Sequence, residues 1–263
     1  PQLTIPGGRI HMEVAELSTA DATITVSGDA GLSQESLLDL KLTGRSGPQT
    51  IGRFLDVLKL VKKKDSRFEV QALVRGKLSD PVVEGNLKIS AIPVREYVLQ
   101  KGALSFSYRD KSFTIAGTQW KLTKGGSNLF IDSIDAALGY SRGGLDIRRL
   151  DILAGDLVLQ GNGRADPASG FDAILSATSS GNGKTISFLT GLPLEGAVNV
   201  IGRLSGALTS PRFDGNLSAG PVTVRGVLFI TVAGRIAYEH KKILLSSVEL
   251  AEQSSRYVFY GSV

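Results

Sequence analysis

The chain has 263 residues, enough for one large domain or two of ordinary size, and its 42% apolar and 21% charged residues exclude wholesale disorder. It contains no cysteine, which excludes disulfides, thiolate metal sites and thiol catalysis. The net charge of +5 is scattered along the chain. Basic residues do not interleave with aromatic ones as nucleic-acid-binding sites require, so we expect no nucleic-acid partner.

Alternation of apolar and polar residues with a period of two dominates the chain. Leu104, Phe106 and Tyr108, for example, alternate with Ser105 and Ser107. This pattern is typical of half-buried strands with one apolar face, and it predicts about sixteen of them. Further runs lie at Ala22–Val26, Leu38–Leu42, Phe68–Val74, Phe113–Ile115, Leu129–Ile131, Leu145–Ile147, Leu157–Leu159, Phe171–Leu175, Val198–Val200, Ile236–Tyr238, Ile243–Leu245 and Tyr257–Phe259.

One segment has helical rather than strand periodicity. Between Thr50 and Lys64 the apolar residues Ile51, Phe54 and Leu58 recur at helical spacing, and three lysines follow at the C-terminal end, where the helix dipole favours cations. We expect this amphipathic helix to pack its apolar stripe on the sheet. The stretch Thr185–Pro193 predicts a second, short helical turn, because glycine and proline end it.

A twelve-residue phrase occurs twice. GKLSDPVVEGNL, Gly76–Leu87, returns as GALTSPRFDGNL, Gly206–Leu217, with glycine, proline and leucine at the same spacing. Repeats of strand pairs that stack on one another bury apolar surface that a single repeat would leave exposed to water. We therefore expect one elongated repeat segment over residues 1–263, made of the end of a first unit (1–45), the amphipathic helix (48–64), a second unit (66–165) and a third unit (166–263).

The third unit and the duplicated phrase resemble a known family. GLPLEGAVNVIGRLSGALTSPRFDGNLSA, followed by AGRIAYEHKKILLSSVELAEQSSRYVFYGSV, is similar to the translocation and assembly module protein TamB and its AsmA-like relatives. The shared features are glycine, proline and alternating apolar residues, without a chemical signature. Neither the family's N-terminal membrane anchor nor its conserved C-terminal domain is recognisable in these residues, so we expect the sequence to be a middle segment.

This resemblance implies a mainly-β fold, in which an elongated, curved sheet of repeated strand units forms a taco-like groove with an apolar interior. It further implies a periplasmic location in the cell envelope and an inner-membrane anchor outside this sequence. Phospholipid acyl chains would be carried between the inner and outer membranes, and the full-length protein would have an outer-membrane barrel partner of the BamA type. No cofactor is implied.

The apolar alternation supplies candidate residues for the lining of such a groove. For each of them, a sealed core is the alternative interpretation. The candidates are Phe68, Val70, Val74, Leu104, Phe106, Tyr108, Phe113, Ile115, Leu129, Ile131, Ile236 and Tyr238.

Catalytic and metal-binding patterns are not recognisable in the sequence. Ser179–Thr185 (SSGNGKT) lacks the first glycine of a phosphate-binding loop, and His11 and His240 have no ligand-spaced neighbours. We therefore expect no enzyme and no metal site. Two other functions stay open: a scaffold or chaperone for outer-membrane protein assembly that acts through sheet edges near residues 10–16 and 256–263, and a closed solenoid or sandwich with a structural role.

Overall fold

The computed structural model describes residues 3–4, 8–33, 35–47, 66–94, 97–141, 143–166, 168–181, 183–191, 193–207, 210–239, 242–252 and 255–262. Over these residues the fold is an open antiparallel β-sheet with 18 strands and one short helix. The predicted mainly-β sheet is therefore confirmed, whereas its bending into a taco-like groove stays a prediction. The predicted amphipathic helix at 48–64 lies outside the described residues.

The chain divides into two compact units, Pro1–Phe130 and Ile131–Val263. This division falls within a strand and rests on spatial contacts. The repeat boundaries at residues 45 and 165 rest on sequence similarity and stay a prediction.

In the first unit, each strand pairs with its neighbour in the chain, because short turns of glycine and polar residues join most of them. Alternation in the sequence thus becomes two faces of one sheet. The strands are β1 (Leu3–Thr4), β2 (Arg9–Ser18), β3 (Ala22–Gly31), β4 (Leu37–Ser46), β5 (Arg67–Lys77), β6 (Asp80–Val94), β7 (Tyr97–Arg109) and β8 (Ser112–Lys124).

The second unit continues the same antiparallel pattern and contains the helix α1 (Lys184–Thr190), where the sequence predicts a short helical turn. Strand β9 crosses the boundary between the units. The strands are β9 (Ser127–Ser141), β10 (Gly144–Ala154), β11 (Leu157–Asp166), β12 (Gly170–Gly181), β13 (Leu194–Gly206), β14 (Arg212–Val224), β15 (Val227–Phe229), β16 (Thr231–Glu239), β17 (Lys242–Glu252) and β18 (Ser255–Ser262).

The duplicated phrase forms the same corner in both units. Gly76 ends the β5 side of one hairpin and Gly206 ends the β13 side of the other, with φ of 93° and 89°. A Cβ atom on either glycine would stand 3.2 Å from a carbonyl oxygen four residues later. Glycine is favoured there because a left-handed backbone is costly for other residues. Pro81 is the second residue of β6 and Pro211 precedes β14, both at strand starts, where proline is tolerated.

Buried apolar side chains are few among the described residues, and some of them form local clusters. In the second unit, the buried residues Val198, Val222, Val232 and Val248 form a cluster, which we call the valine cluster. In the first unit, Ile92 is buried against Phe68, Ile89 and Leu99. Each of these cores draws its contacts from neighbouring strands, and in the second unit also from α1.

Candidate functional site

One face of the first unit is apolar across five consecutive strands. Residues directly opposite each other in an antiparallel ladder project to the same face. Phe106 of β7 pairs with Ile115 of β8, and Tyr108 pairs with Phe113. The same alignment joins the apolar positions of β4 to β8, which we call the first apolar face: Leu38, Leu40, Leu42, Phe68, Val70, Ala72, Val74, Val83, Leu87, Ile89, Leu104, Phe106, Tyr108, Phe113 and Ile115.

The second unit repeats this arrangement. Ile236 of β16 lies between Gly215 of β14 and Leu245 of β17, and Tyr238 lies between Phe213 and Ile243. The apolar positions of β10 to β17 share this face, which we call the second apolar face: Leu150, Ile152, Leu159, Leu175, Val198, Val200, Leu204, Phe213, Leu217, Val232, Ile236, Tyr238, Ile243, Leu245 and Leu250.

The opposite face of each unit carries charged pairs that join neighbouring strands. Arg203 of β13 donates two hydrogen bonds to Asp172 of β12, at 2.8 and 3.0 Å. Arg235 of β16 lies 2.9 Å from Asp214 of β14 in the same way. The hydrogen bonds from Arg203 and its charge hold the pKa of Asp172 below its ordinary value. This face is therefore built for contact with water.

The twelve predicted lining residues are all half-buried. The structure brings eight of them together on the first apolar face, namely Phe68, Val70, Val74, Leu104, Phe106, Tyr108, Phe113 and Ile115. Ile236 and Tyr238 lie together on the second apolar face. Leu129 belongs to the first unit and Ile131 to the second. Contact with a lipid stays a prediction for all twelve.

Half-burial distinguishes these side chains from a sealed core. When two sheets pack face to face, the inward side chains interdigitate and lose almost all contact with solvent. Here the valine cluster reaches that state, with exposed fractions of 2–8%, whereas the predicted lining residues do not. At the far strand ends of the second apolar face, Leu145 is 37% and Ile243 39% exposed. Both faces thus retain accessible apolar surface.

Glycines let the aromatic rings lie flat on these faces. A Cβ atom on Gly85 would stand 2.6 Å from Cζ of Phe106, and Phe213 lies as close to Gly202 and Gly215. Phe106 also stacks on Phe113, with ring centroids 5.9 Å apart. A ring that covers a neighbouring glycine fills the gap that the missing side chain leaves. The apolar faces are therefore continuous in spite of their glycines.

Sequence reasoning missed much of both faces. In β6, Val83, Leu87 and Ile89 belong to the first apolar face. They were not predicted, because the duplicated phrase was interpreted as a turn and not as part of an apolar strand. In the second unit, Leu204 and Phe213 were missed for the same reason. The sequence does contain a signal for these residues. If glycine is counted as an apolar-face residue, the alternation with a period of two continues through these strands.

At one end of the second apolar face lie α1 and a polar network that includes the buried side chains of Ser179 and Thr185. Ile186 of α1 packs against the valine cluster. The carboxylate of Asp156, in the turn between β10 and β11, accepts hydrogen bonds from Ser179 Oγ at 2.9 Å and from the Thr185 backbone N–H at 3.1 Å. Burial raises the pKa of Asp156, but hydrogen bonds from Thr185 and Ser179 outweigh it and leave the pKa below 3.8.

The first unit also contains a cavity of about 350 Å³, but its lining is mostly polar. Thr25, Thr43, Arg45, Glu69 and Gln71 contribute to it from β3, β4 and β5. Apolar chains gain little from such surroundings. We therefore do not assign the cavity to the apolar site.

The described part of the chain has neither a cluster of metal-ligating side chains nor a membrane-spanning helix. No group of three histidine, aspartate or glutamate side chains is arranged to hold a metal ion there. No helix among those residues has the length and apolar character needed to cross a membrane.

Comparison with known proteins identifies no relative. No family model matches the chain, and neither a curated protein nor a solved structure is similar to it.

Proposed function

We propose that this chain is a segment of a periplasmic β-groove protein, related to TamB and the AsmA-like family, which carries phospholipid acyl chains between the inner and outer membranes. The observation that carries the proposal is the half-buried apolar face of each unit, which crosses strand after strand without a polar row. The full-length protein would reach the inner membrane through an anchor and the outer membrane through a BamA-type barrel.

The energetics of lipid transfer require such a surface. Moving an acyl chain into water costs about 0.8 kcal/mol per methylene, so two chains of about sixteen carbons face a cost on the order of 25 kcal/mol. Isolated apolar sites would leave a large part of that cost between one site and the next. A continuous apolar face removes these steps and does not depend on particular side chains, in agreement with the mixture of Val, Leu, Ile and Phe found there.

The strand length also suits an acyl chain. At about 3.4 Å per residue, a strand such as β7 extends for roughly 44 Å. It has 13 residues, and Leu104, Phe106 and Tyr108 succeed one another on its apolar side. A chain lying across the strands meets apolar side chains on each strand from β4 to β8.

The proposal is tested by placing a charge on each face in turn. Phe106→Glu and Ile115→Glu introduce a carboxylate on β7 or β8 of the first apolar face, where an acyl chain would have to desolvate it. We expect lipid that copurifies with the wild-type chain to be lost in both variants. Native mass spectrometry of the purified protein, with extraction and identification of the lipids, measures this occupancy.

The matched control is Ser105→Glu. Ser105 is next to Phe106 in β7 but is exposed on the opposite face, so the same charge should leave lipid occupancy and the far-ultraviolet circular dichroism spectrum unchanged. If Phe106→Glu and Ile115→Glu fold as the wild type does and retain all their lipid, the proposed function is wrong.

A second candidate function is a scaffold for outer-membrane protein assembly that acts through sheet edges. One observation favours it: β18 exposes aromatic side chains on both faces, with Phe259 51% and Tyr260 73% exposed. Exposed apolar strands recruit further strands. Photocrosslinking to an unfolded outer-membrane strand distinguishes the two functions. A scaffold predicts crosslinks at 10–16 and 256–263, and acyl-chain transfer predicts none.

A further inference from the structure

We propose that α1, anchored by Asp156, is a fixed stop that closes one end of the second apolar face and confines acyl chains to the other end. The inference rests on the proposed function and specifies where in the second unit a chain binds. The closed end is the valine cluster. The open end is the set of residues at the opposite strand ends, Leu204, Phe213, Tyr238 and Ile243.

The anchor joins three parts of the unit that are distant in the sequence. Asp156 in the β10–β11 turn accepts from Ser179 of β12 and from the first turn of α1 at Thr185. The hydroxyl of Thr185 donates in turn to the carbonyl oxygen of Ala154 at 2.8 Å. Ser179 and Thr185 are 0% and 2% exposed. Hydrogen bonds to a charged group, shielded in this way from water, are among the stronger ones in proteins.

Without these contacts α1 would not hold its position. It has seven residues and no charged residues in its last turn, and isolated helices below about 12–15 residues are marginal in water. A further tie is Ser187, whose hydroxyl accepts from the Leu194 N–H at 2.9 Å at the start of β13. Asp156 therefore fixes the beginning of α1, and Ser187 joins its middle to β13.

The burial of the sheet beneath α1 agrees with a stop. Val198 and Val222 are 8% and 2% exposed where Ile186 packs against them. Further along the same strands, Leu204 and Phe213 are half-buried. On β17, the exposed fraction rises from 5% at Val248 to 39% at Ile243. An acyl chain thus finds more accessible apolar surface at the open end than at the valine cluster.

The experiment maps where a lipid binds. The wild-type chain is loaded with phosphatidylcholine that carries a photoreactive diazirine on an acyl chain, irradiated, and analysed by peptide mass spectrometry. We expect crosslinks at the open end and none at Ile186 or the valine cluster. In Asp156→Ala, crosslinks should appear at the valine cluster, because the substitution removes both carboxylate hydrogen bonds that hold the beginning of α1.

Asp172→Ala is the matched control, because it removes a carboxylate of the same unit on the opposite face. Its crosslink map should equal that of the wild type. If Asp156→Ala does not fold, the crosslink map of Thr185→Val tests the same proposal, because this variant removes only the hydroxyl donor of Thr185. Wild-type crosslinks at the valine cluster, or an unchanged map in the anchor variants, would overturn the stop alone. Absence of crosslinks from both apolar faces would overturn the proposed function and the stop with it.

Discussion

The indole ring of Trp120 in β8 lies across Gly102 in β7 so closely that a Cβ atom on Gly102 would stand 2.5 Å from its Cδ2 atom. The ring also covers Gly117 and donates a hydrogen bond from Nε1 to the carbonyl oxygen of Ala103 at 3.0 Å. Trp120 is 8% exposed. The glycines and the tryptophan therefore form one packing unit at this end of the first unit.

Gly102→Ala should displace that ring. Because the indole is fixed by its hydrogen bond and its neighbours, we expect the free energy of unfolding to fall by about 1–3 kcal/mol, as overpacked sites do. Trp120 is the only tryptophan of the chain, so its fluorescence emission reports the displacement directly as a shift to longer wavelength. Urea denaturation followed by this emission measures both effects.

Gly261→Ala is the control for this substitution, since a Cβ atom on Gly261 would meet no atom within 4 Å. It should change neither the emission maximum nor the urea midpoint. An unchanged emission maximum in Gly102→Ala would show that the ring does not depend on the glycine.

The period-two alternation was sufficient to predict strands because each has an apolar and a polar face. It underestimated their lengths. The run Leu104–Tyr108 predicts five residues, whereas β7 spans Tyr97–Arg109. Gly102 occupies an apolar-face position in β7 and Trp120 covers it, so the sequence pattern is interrupted where the strand is not.

The anchor of α1 could not be predicted from the sequence. Ser179–Thr185 resembles an incomplete phosphate loop when taken alone, but Ser179 and Thr185 bind Asp156, more than twenty residues earlier in the chain. The periodicity of apolar residues in the sequence does not indicate a hydrogen bond between a turn and a distant helix. Such contacts depend on the register of the intervening strands. Alternation does not determine this register, because a shift by an even number of residues keeps every apolar side chain on the same face.

The anchor should weaken in acid. The pKa of Asp156 in the folded chain is lowered from 3.8, so its contribution to stability is complete above that value and is lost as the pH falls through the lower, folded pKa. Asp156→Asn removes this dependence. We expect the wild type to be the more stable protein at about pH 6, and the difference in urea midpoint to shrink below about pH 4.

A difference between wild type and Asp156→Asn that is the same at every pH would contradict this assignment. Asp172→Asn provides the comparison within the same unit. The pKa of Asp172 is also lowered, by its hydrogen bonds from Arg203, so its contribution should fade over the same acidic range, but without any change in the exchange of α1 amides. Hydrogen exchange of α1 therefore separates the anchor from the surface pair.

The pair of Arg203 and Asp172 should make a small contribution that depends on salt. Both side chains are about two-thirds exposed, at 66% and 64%, so water and ions screen their attraction. Arg203→Lys keeps the charge but loses the two-pronged geometry, and we expect a slightly lower melting temperature at low salt and none of that difference at high salt.

Arg75→Lys is the matched comparison for this pair. Arg75 reaches Asp39 through a single contact of 3.4 Å, so its replacement should have less effect than that of Arg203 at every salt concentration. Thermal unfolding at low and high salt measures both variants. A loss in Arg203→Lys that persists at high salt would indicate packing by the arginine stem instead of charge.

A charge on the second apolar face should abolish binding there independently of the first. Ile236 lies between Gly215 and Leu245 on that face, whereas Ser246 lies opposite Arg235 on the polar face. Ile236→Glu places a carboxylate where an acyl chain would have to cover it, and Ser246→Glu places the same charge beside a guanidinium. We expect the first variant to lose crosslinks to diazirine phosphatidylcholine within residues 131–263 while keeping those on the first apolar face. Ser246→Glu should keep both. If Ile236→Glu kept its crosslinks at Tyr238 and Phe213, the chain would not run along this face, because a buried carboxylate and an acyl chain cannot share it.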